Sequence, residues 1–179
     1  MSAADRRFEP VDARTVFDGR IFKVNVERFR FADGEEVERE IVRHGGAVGM
    51  VVHDETDLYL VRQPRQAADD PDFLEIPAGR LDQEGESPLV AAQRELAEEI
   101  GKAAARWEPI KTFYSSVGMS DEVVHLFHAT GLSDRSAAAE ENERIDIVRW
   151  PLRDLDGAIS ATRDSKTIIG LQWLKLDRS

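Results

Sequence analysis

Cysteine is missing from all 179 positions of this chain, and with it go disulfides, thiol catalysis and cysteine–zinc sites. Positive charge is in deficit: 24 lysines and arginines face 35 aspartates and glutamates, a formal net charge of −11. Extended nucleic acid and anionic membrane both require basic surface, so neither is an expected partner. No apolar run reaches bilayer-spanning length, and the opening MSAADRRFEP lacks a signal peptide's apolar stretch. Internal repeats and a second-domain linker are not visible either. The expectation is a soluble cytoplasmic protein, long enough for a proper core. A small anionic ligand stays open to it, provided that a metal and local arginines neutralise the charge.

What is present concentrates between Gly79 and Gly101, in GRLDQEGESPLVAAQRELAEEIG. Ser87 is a good helix N-cap with Pro88 at the first helical position. On that helix Glu95, Glu98 and Glu99 share one sector about 100° wide. Leu89, Ala92, Leu96 and Ile100 form an adjoining apolar stripe that can hold the helix against a core. Three carboxylates fixed together repel one another, and removing them from water is costly unless a cation compensates. Hard oxygen ligands suit Mg²⁺ or Mn²⁺, ions that commonly bridge protein carboxylates and substrate phosphates. The plainer alternative is a solvated acidic face with Arg94–Glu98 and Glu98–Lys102 as ordinary i,i+4 pairs. It accounts for neither Gly79 nor Glu86.

Around this helix the pattern is that of a mixed α/β chain. Alternation and turn residues predict strands over Ile21–Phe31 and Val37–Arg43, joined at Ala32-Asp33-Gly34. Gly45-Gly46 breaks the pattern, and no Walker lysine accompanies it to make a phosphate cradle. A hairpin follows over Ala47–His53 and Leu58–Gln63, then a polar loop over Gln66–Asp72 and a short strand over Phe73–Ile76. Further strands are expected near Pro109–Tyr114, Val123–Ala129 and Ile145–Trp150, with a charged loop over Ser133–Arg144. Helices close the chain near Leu152–Ser160 and Ser165–Leu176. The four histidines read as structural, since His125 and His128 point to opposite faces of one strand.

The Gly79–Gly101 segment resembles the Nudix box of nucleoside diphosphate-X hydrolases. Gly79, Glu86, Arg94, Glu95, Leu96, Glu98, Glu99 and Gly101 match it, and seven fixed identities arise by chance at about one in a million or less. The loop between Gly79 and Glu86 carries one residue more than the family's usual spacing, and Lys102 stands at a usually apolar position. The resemblance implies the Nudix fold, an α/β/α sandwich around a mixed β-sheet with an N-terminal β-hairpin extension. Residues 1–46 would be strands contributing to dimerisation, and residues 47–179 the hydrolase domain. It implies Glu95 and Glu99 as direct ligands of Mg²⁺ (or Mn²⁺), Glu98 as a further or water-mediated ligand, and the Ala78 carbonyl completing the site. Arg94 would orient the glutamates, and Glu86 would secure the loop before the helix.

Beyond the box, FDGRIFKVNVERFRFADGEEVEREIVRHGGAVGMVV, LYLVRQPR and LEIPAGRLD are similar to the ADP-ribose pyrophosphatase branch, from about residue 13 onward. That similarity implies a homodimer whose N-terminal strands exchange between subunits. It also implies a nucleoside diphosphate sugar as substrate, with Arg65 on the diphosphate and Arg39 approaching from the partner subunit. FYSSVGMSDEVVHLF matches the branch at Ser116, Gly118, Ser120 and Glu122, and places Gly118 and Glu122 at the substrate. Val117 stands where the branch usually has proline, which keeps GDP-mannose and related pyrophosphatases as alternatives. AAAEENERIDIVRW matches the branch's base-bearing loop, nominating Glu141, then Glu143, as general base, with Glu98 as the rival within the box. A non-catalytic sugar-nucleotide sensor and a structural dimerisation module are the remaining readings.

Overall fold

A computed structural model describes residues 6–135 and 144–179. The chain divides into two compact units, Met1–Gly46 with Tyr114–Val123, and Ala47–Phe113 with Val124–Ser179.

In the first unit, β1 (Phe8–Asp18), β2 (Phe22–Phe31) and β3 (Glu36–His44) form an antiparallel sheet in sequence order. The expected hairpin is β2–β3, running from Phe22 opposite His44 to Arg30 opposite Glu36. Its turn has Gly34 at φ +91°, a backbone region that glycine adopts at no steric cost. The Asp33 carboxylate accepts the Glu35 amide across the turn. β1 is a third strand that periodicity did not reveal. The Tyr114–Val123 segment joins this unit along β3: the Val42 amide donates to the Met119 carbonyl at 2.8 Å, and the Asp121 amide donates to the Val42 carbonyl at 3.1 Å. No apolar side chain among the described residues of this unit is buried.

The second unit is built on a mixed sheet. β4 (Ala47–His53), β5 (Asp57–Arg65), β6 (Asp70–Glu75), β7 (Ala78–Arg80), β8 (Lys102–Tyr114), β9 (Val123–Asp134) and β10 (Asp146–Pro151) pair in the order β10-β5-β4-β9-β8. β6 adds to β5 and β7 to β4. β4 and β9 run parallel, and β4 and β5 antiparallel through a turn capped by Asp54. The Thr56 and Asp57 amides and the Tyr59 hydroxyl donate to Asp54, which holds its carboxyl far below the usual range.

Successive strand residues face opposite ways, and the core splits accordingly. Val48, Met50, Val52, Tyr59 and Val61 pack against Ala91, Ala92, Leu96 and Ile100 of α1 (Pro88–Ile100). Val51, Leu58, Leu60 and Ile76 pack against α2 (Leu155–Ala161) and α3 (Ser165–Asp177) through Leu155, Ala158, Leu171 and Leu174. Helices therefore cover both faces, the α/β/α arrangement expected. Leu96 and Leu171 are fully buried, and truncating either to alanine costs about 2–5 kcal/mol.

Other elements also differ from the sequence reading. β8 starts at Lys102, straight after α1, rather than near Pro109. Pro109 is tolerated there because β8 lies at the sheet edge. The polar loop after β5 contains a 3-10 turn over Gln66–Ala68 and leads into β6 at Asp70. On α1 the buried stripe is Ala91, Ala92, Leu96, Ala97 and Ile100, while Leu89 is left exposed. Small alanines let the helix approach the sheet closely.

Candidate active site

α1 begins as its sequence dictates: Ser87 caps the Val90 amide and Pro88 sits in the first turn. It ends at Gly101, whose left-handed conformation (φ +66°) returns its amide to the Ala97 carbonyl. Within these ends Arg94 is the hub. Its Nε and Nη2 each donate to Glu86 at 3.1 Å, and its Nη1 donates to Glu95 at 2.7 Å and Glu98 at 2.9 Å. A planar guanidinium suits such forked bonding, which an ammonium cannot reproduce. The Glu86 bond, ahead of the opposing cost of burial, raises the Arg94 pKa further above its already high value. The loop carrying the extra residue is thus tied to the helix through Glu86. Lys102 pairs with Asp134 at 2.5 Å instead of Glu98, so the acidic face is not a ladder of simple i,i+4 pairs.

β7 brings backbone to the same place. Glu99, nearly buried, accepts the Ala78 amide at 2.9 Å. A Cβ on Gly79 would lie 1.9 Å from the Glu95 carboxyl carbon and 2.2 Å from its Oε1. Only glycine admits that approach. Glu95, Glu98 and Glu99 with the Ala78–Gly79 backbone therefore gather hard oxygen donors of the kind that small divalent cations take. Among the described residues no three acidic or histidine side chains stand ready to hold a metal ion as they are; Glu95 and Glu98 are turned onto Arg94. The donor set fits such a cation in chemistry, with Arg94 supplying the compensating charge in this arrangement.

A second cluster escaped the sequence reading. Glu75, at 1% exposure, accepts Arg65 Nε at 2.6 Å and a bond from Lys166. Lys166 also lies 3.1 Å from Asp164, the N-cap of α3, and Thr167 of the same turn accepts the Ile76 amide at 2.8 Å. Burial works against the charge on Arg65, but the Glu75 bond together with the charges of Glu75, Glu99 and Asp164 outweighs it and raises the pKa. Two signals pointed here. Glu75 interrupts the apolar run Phe73-Leu74-Glu75-Ile76, where an unpaired charge is costly. Lys166 sits in a helix's first turn, where the dipole disfavours a cation.

Arg39 and Gly118 come together in the first unit, lining a cavity of about 510 Å³ with Phe8, Phe29, Arg43, Tyr114 and Val117. The Arg39 side chain donates to the Glu38 carbonyl. Glu122 stands on the same loop as Gly118, 3.7 Å from the His44 ring. The candidate bases Glu141 and Glu143 lie outside the described residues. His53 and His128 face each other with Nε2 atoms 2.9 Å apart. His53 Nδ1 bonds the Asp54 carbonyl at 2.7 Å; a carbonyl only accepts, so His128 supplies the shared proton. Burial, then the neighbouring His53, lowers the His128 pKa.

A family model described as the NUDIX domain matches residues 43–176. The chain belongs to the NUDIX family. A methanol dehydrogenase activator from Bacillus methanolicus is 37% identical over 174 residues, covering 94% of this chain and 93% of that one. An ADP-ribose pyrophosphatase from Bacillus subtilis (strain 168) is 36% identical over 166 residues, covering 90% and 89%. Among solved structures, a crystal structure of an ADP compounds hydrolase superposes with a TM-score of 0.84 at 23% identity, over 98% of this chain and 96% of that one. That last likeness carries the NUDIX fold alone. The family match covers every charged residue around Arg94 and the Glu75 cluster.

Proposed function

We propose that this NUDIX hydrolase cleaves the diphosphate of a nucleoside diphosphate sugar, with ADP-ribose as substrate and AMP and ribose 5-phosphate as products. The observation that carries the reading is the close approach of Glu95 and Glu99 to the Ala78–Gly79 backbone, with Arg94 joining Glu86, Glu95 and Glu98 beside it. The high similarity to an ADP-ribose pyrophosphatase over nearly the whole chain supports the choice of sugar nucleotide.

In this reading Glu95, Glu99 and the Ala78 carbonyl hold Mg²⁺ (or Mn²⁺), with Glu98 as a further ligand. When bound there, the cation polarises phosphoryl oxygens and lowers the pKa of attacking water. Arg65, held by Glu75, presents its guanidinium to the diphosphate, where a planar fork matches phosphate oxygens. Glu141 takes the proton from water attacking in line, with Glu143 next and Glu98 as the rival base within the box. Arg39 approaches the remaining substrate from the partner subunit, and Gly118 and Glu122 also contact substrate. The described helices include none long and apolar enough to cross a membrane.

Assembly follows from the first unit. Phe8, Val16, Phe17, Ile21 and Phe22 are all exposed, and a three-stranded sheet without a buried face is marginal alone. A homodimer that covers these residues completes the unit, and we take it as the working form. GDP-mannose is the second candidate, because Val117 replaces the branch's proline and is 77% exposed at the cavity. A panel of ADP-ribose, GDP-mannose, NADH and diadenosine polyphosphates in Mg²⁺ tests the reading. Preferential release of AMP from ADP-ribose supports it, and preference for another member moves the substrate assignment.

A further inference from the structure

Among the described residues of the first unit, one carboxylate is nearly buried: Glu27, at 6% exposure. It receives Arg43 through both Nε, at 2.7 Å, and Nη2, and also the Asn25 amide at 3.1 Å. Arg43 in turn donates Nη1 to Asp121 at 3.1 Å. The other Asp121 oxygen accepts the His44 amide at 2.8 Å, while its own amide donates to the Val42 carbonyl. Residues on β2, β3 and the 114–123 segment are thereby joined in one line. The segment itself is wound tightly: the Met119 and Ser120 amides both reach the Ser116 carbonyl, and the Ser115 amide reaches that of Glu122.

Charge separates the two arginines of the cavity. Arg43 faces two carboxylates and has no surplus charge to offer a ligand. Arg39, four residues along β3, meets a neutral carbonyl, so it is the cation presented to an anion. Sequence reading named Arg39 and passed over Arg43, although both line the same cavity.

We infer that Glu27, Arg43 and Asp121 form a strut that fixes the 116–122 turn, and hence Gly118 and Glu122, on β3. They act as positioning residues for sugar-nucleotide binding and touch no reacting atom. The inference rests on the substrate role proposed for Gly118 and Glu122 from the resemblance of their segment to the ADP-ribose pyrophosphatase branch. Bonds to a charged, half-buried partner are among the stronger ones, and losing one leaves the other groups misdirected.

The test is steady-state kinetics of Asp121→Ala and Glu27→Gln on the sugar nucleotide that the unmodified protein hydrolyses best, with amide hydrogen exchange across residues 114–123. The strut predicts that Asp121→Ala raises KM about tenfold or more while kcat stays within about twofold. Glu27→Gln should act in the same direction and less. The double variant should resemble Asp121→Ala alone, because both changes cut one line. Exchange across the turn should speed up in ligand-free protein. Unchanged KM, a fall in kcat alone, or unaltered exchange in Asp121→Ala overturns the inference. Failure of the unmodified protein to turn over any sugar nucleotide counts instead against the function proposed, and exchange then decides the strut.

Discussion

The two units solve the problem of holding charge in opposite ways. In the second, an apolar core on both sheet faces fixes the backbone, and carboxylates are then placed against it: Glu75 at 1% exposure, Glu99 at 9%. In the first, no described apolar side chain is buried, and order comes from strand ladders and from pairs such as Arg30–Glu36 and Arg28–Asp12 on the surface. Exposed pairs contribute little to stability. The second unit therefore holds its carboxylates against its own core, whereas the first has no buried apolar face among its described residues. In the function proposed, the packed second unit supports the reacting groups, and the sheet of the first serves recognition and assembly.

The sharpest way to break this division is Glu99→Gln. If the acidic cluster is the reaction centre, losing one metal-facing carboxylate removes about 4 kcal/mol of transition-state stabilisation, close to a thousandfold in kcat. The melting temperature should stay within a few degrees. A variant with near-normal kcat at saturating Mg²⁺ would place the chemistry elsewhere.

Glu141→Gln comes next. Loss of a general base lowers kcat by about a hundredfold or more. Should Glu98→Gln produce that fall while Glu141→Gln does not, the base belongs to the helix.

Gly79→Ala probes how closely the strand must approach Glu95. The added methyl meets the carboxyl carbon at 1.9 Å, and such overpacking costs about 1–3 kcal/mol. Unfolding by urea should register that loss together with weakened Mn²⁺ binding. An unshifted midpoint would show that Glu95 swings away freely.

For the first unit, Phe17→Ser with Ile21→Ser should convert dimer to monomer in sedimentation equilibrium, with the second unit's melting transition retained. Persistence of the dimer would mean that another surface joins the subunits.

The smallest effect concerns His128. Its folded pKa lies below the ordinary histidine value of about 6.5 because burial disfavours the charged ring. The unfolded state then binds protons more readily, so its contribution is present above about pH 6.5 and is lost as pH falls through the folded value. His128→Gln should flatten the decline in thermal stability between pH 7.5 and 5. Parallel curves for the two proteins would remove the histidine pair from the account.

Legibility in the sequence followed the range of the interactions. α1 could be read because its signals are local: Ser87-Pro88 at one end, Gly101 at the other, and four acidic residues in fixed register with Arg94. The buried strands β4 and β5 were legible from apolar runs and the Asp54 turn. β1 was not, because FEPVDARTVFD is exposed on both sides and lacks a buried face to impose alternation. β8 hid its first half in Lys102–Arg106, whose alanines favour helix over strand. The Glu75–Lys166 bond spans 91 residues of chain, and Arg43 reaches Asp121 across 78. No local pattern encodes such pairs, so Glu75, Lys166, Arg43 and Asp121 emerged only once the fold brought them together.

One experiment addresses the central claim most directly: incubating the purified protein with ADP-ribose and Mg²⁺, beside its Glu99→Gln variant, and identifying products by ³¹P NMR. The account predicts two phosphomonoester signals, from AMP and ribose 5-phosphate, in the unmodified protein alone. Intact diphosphate in both samples, or equal cleavage by both, would contradict it.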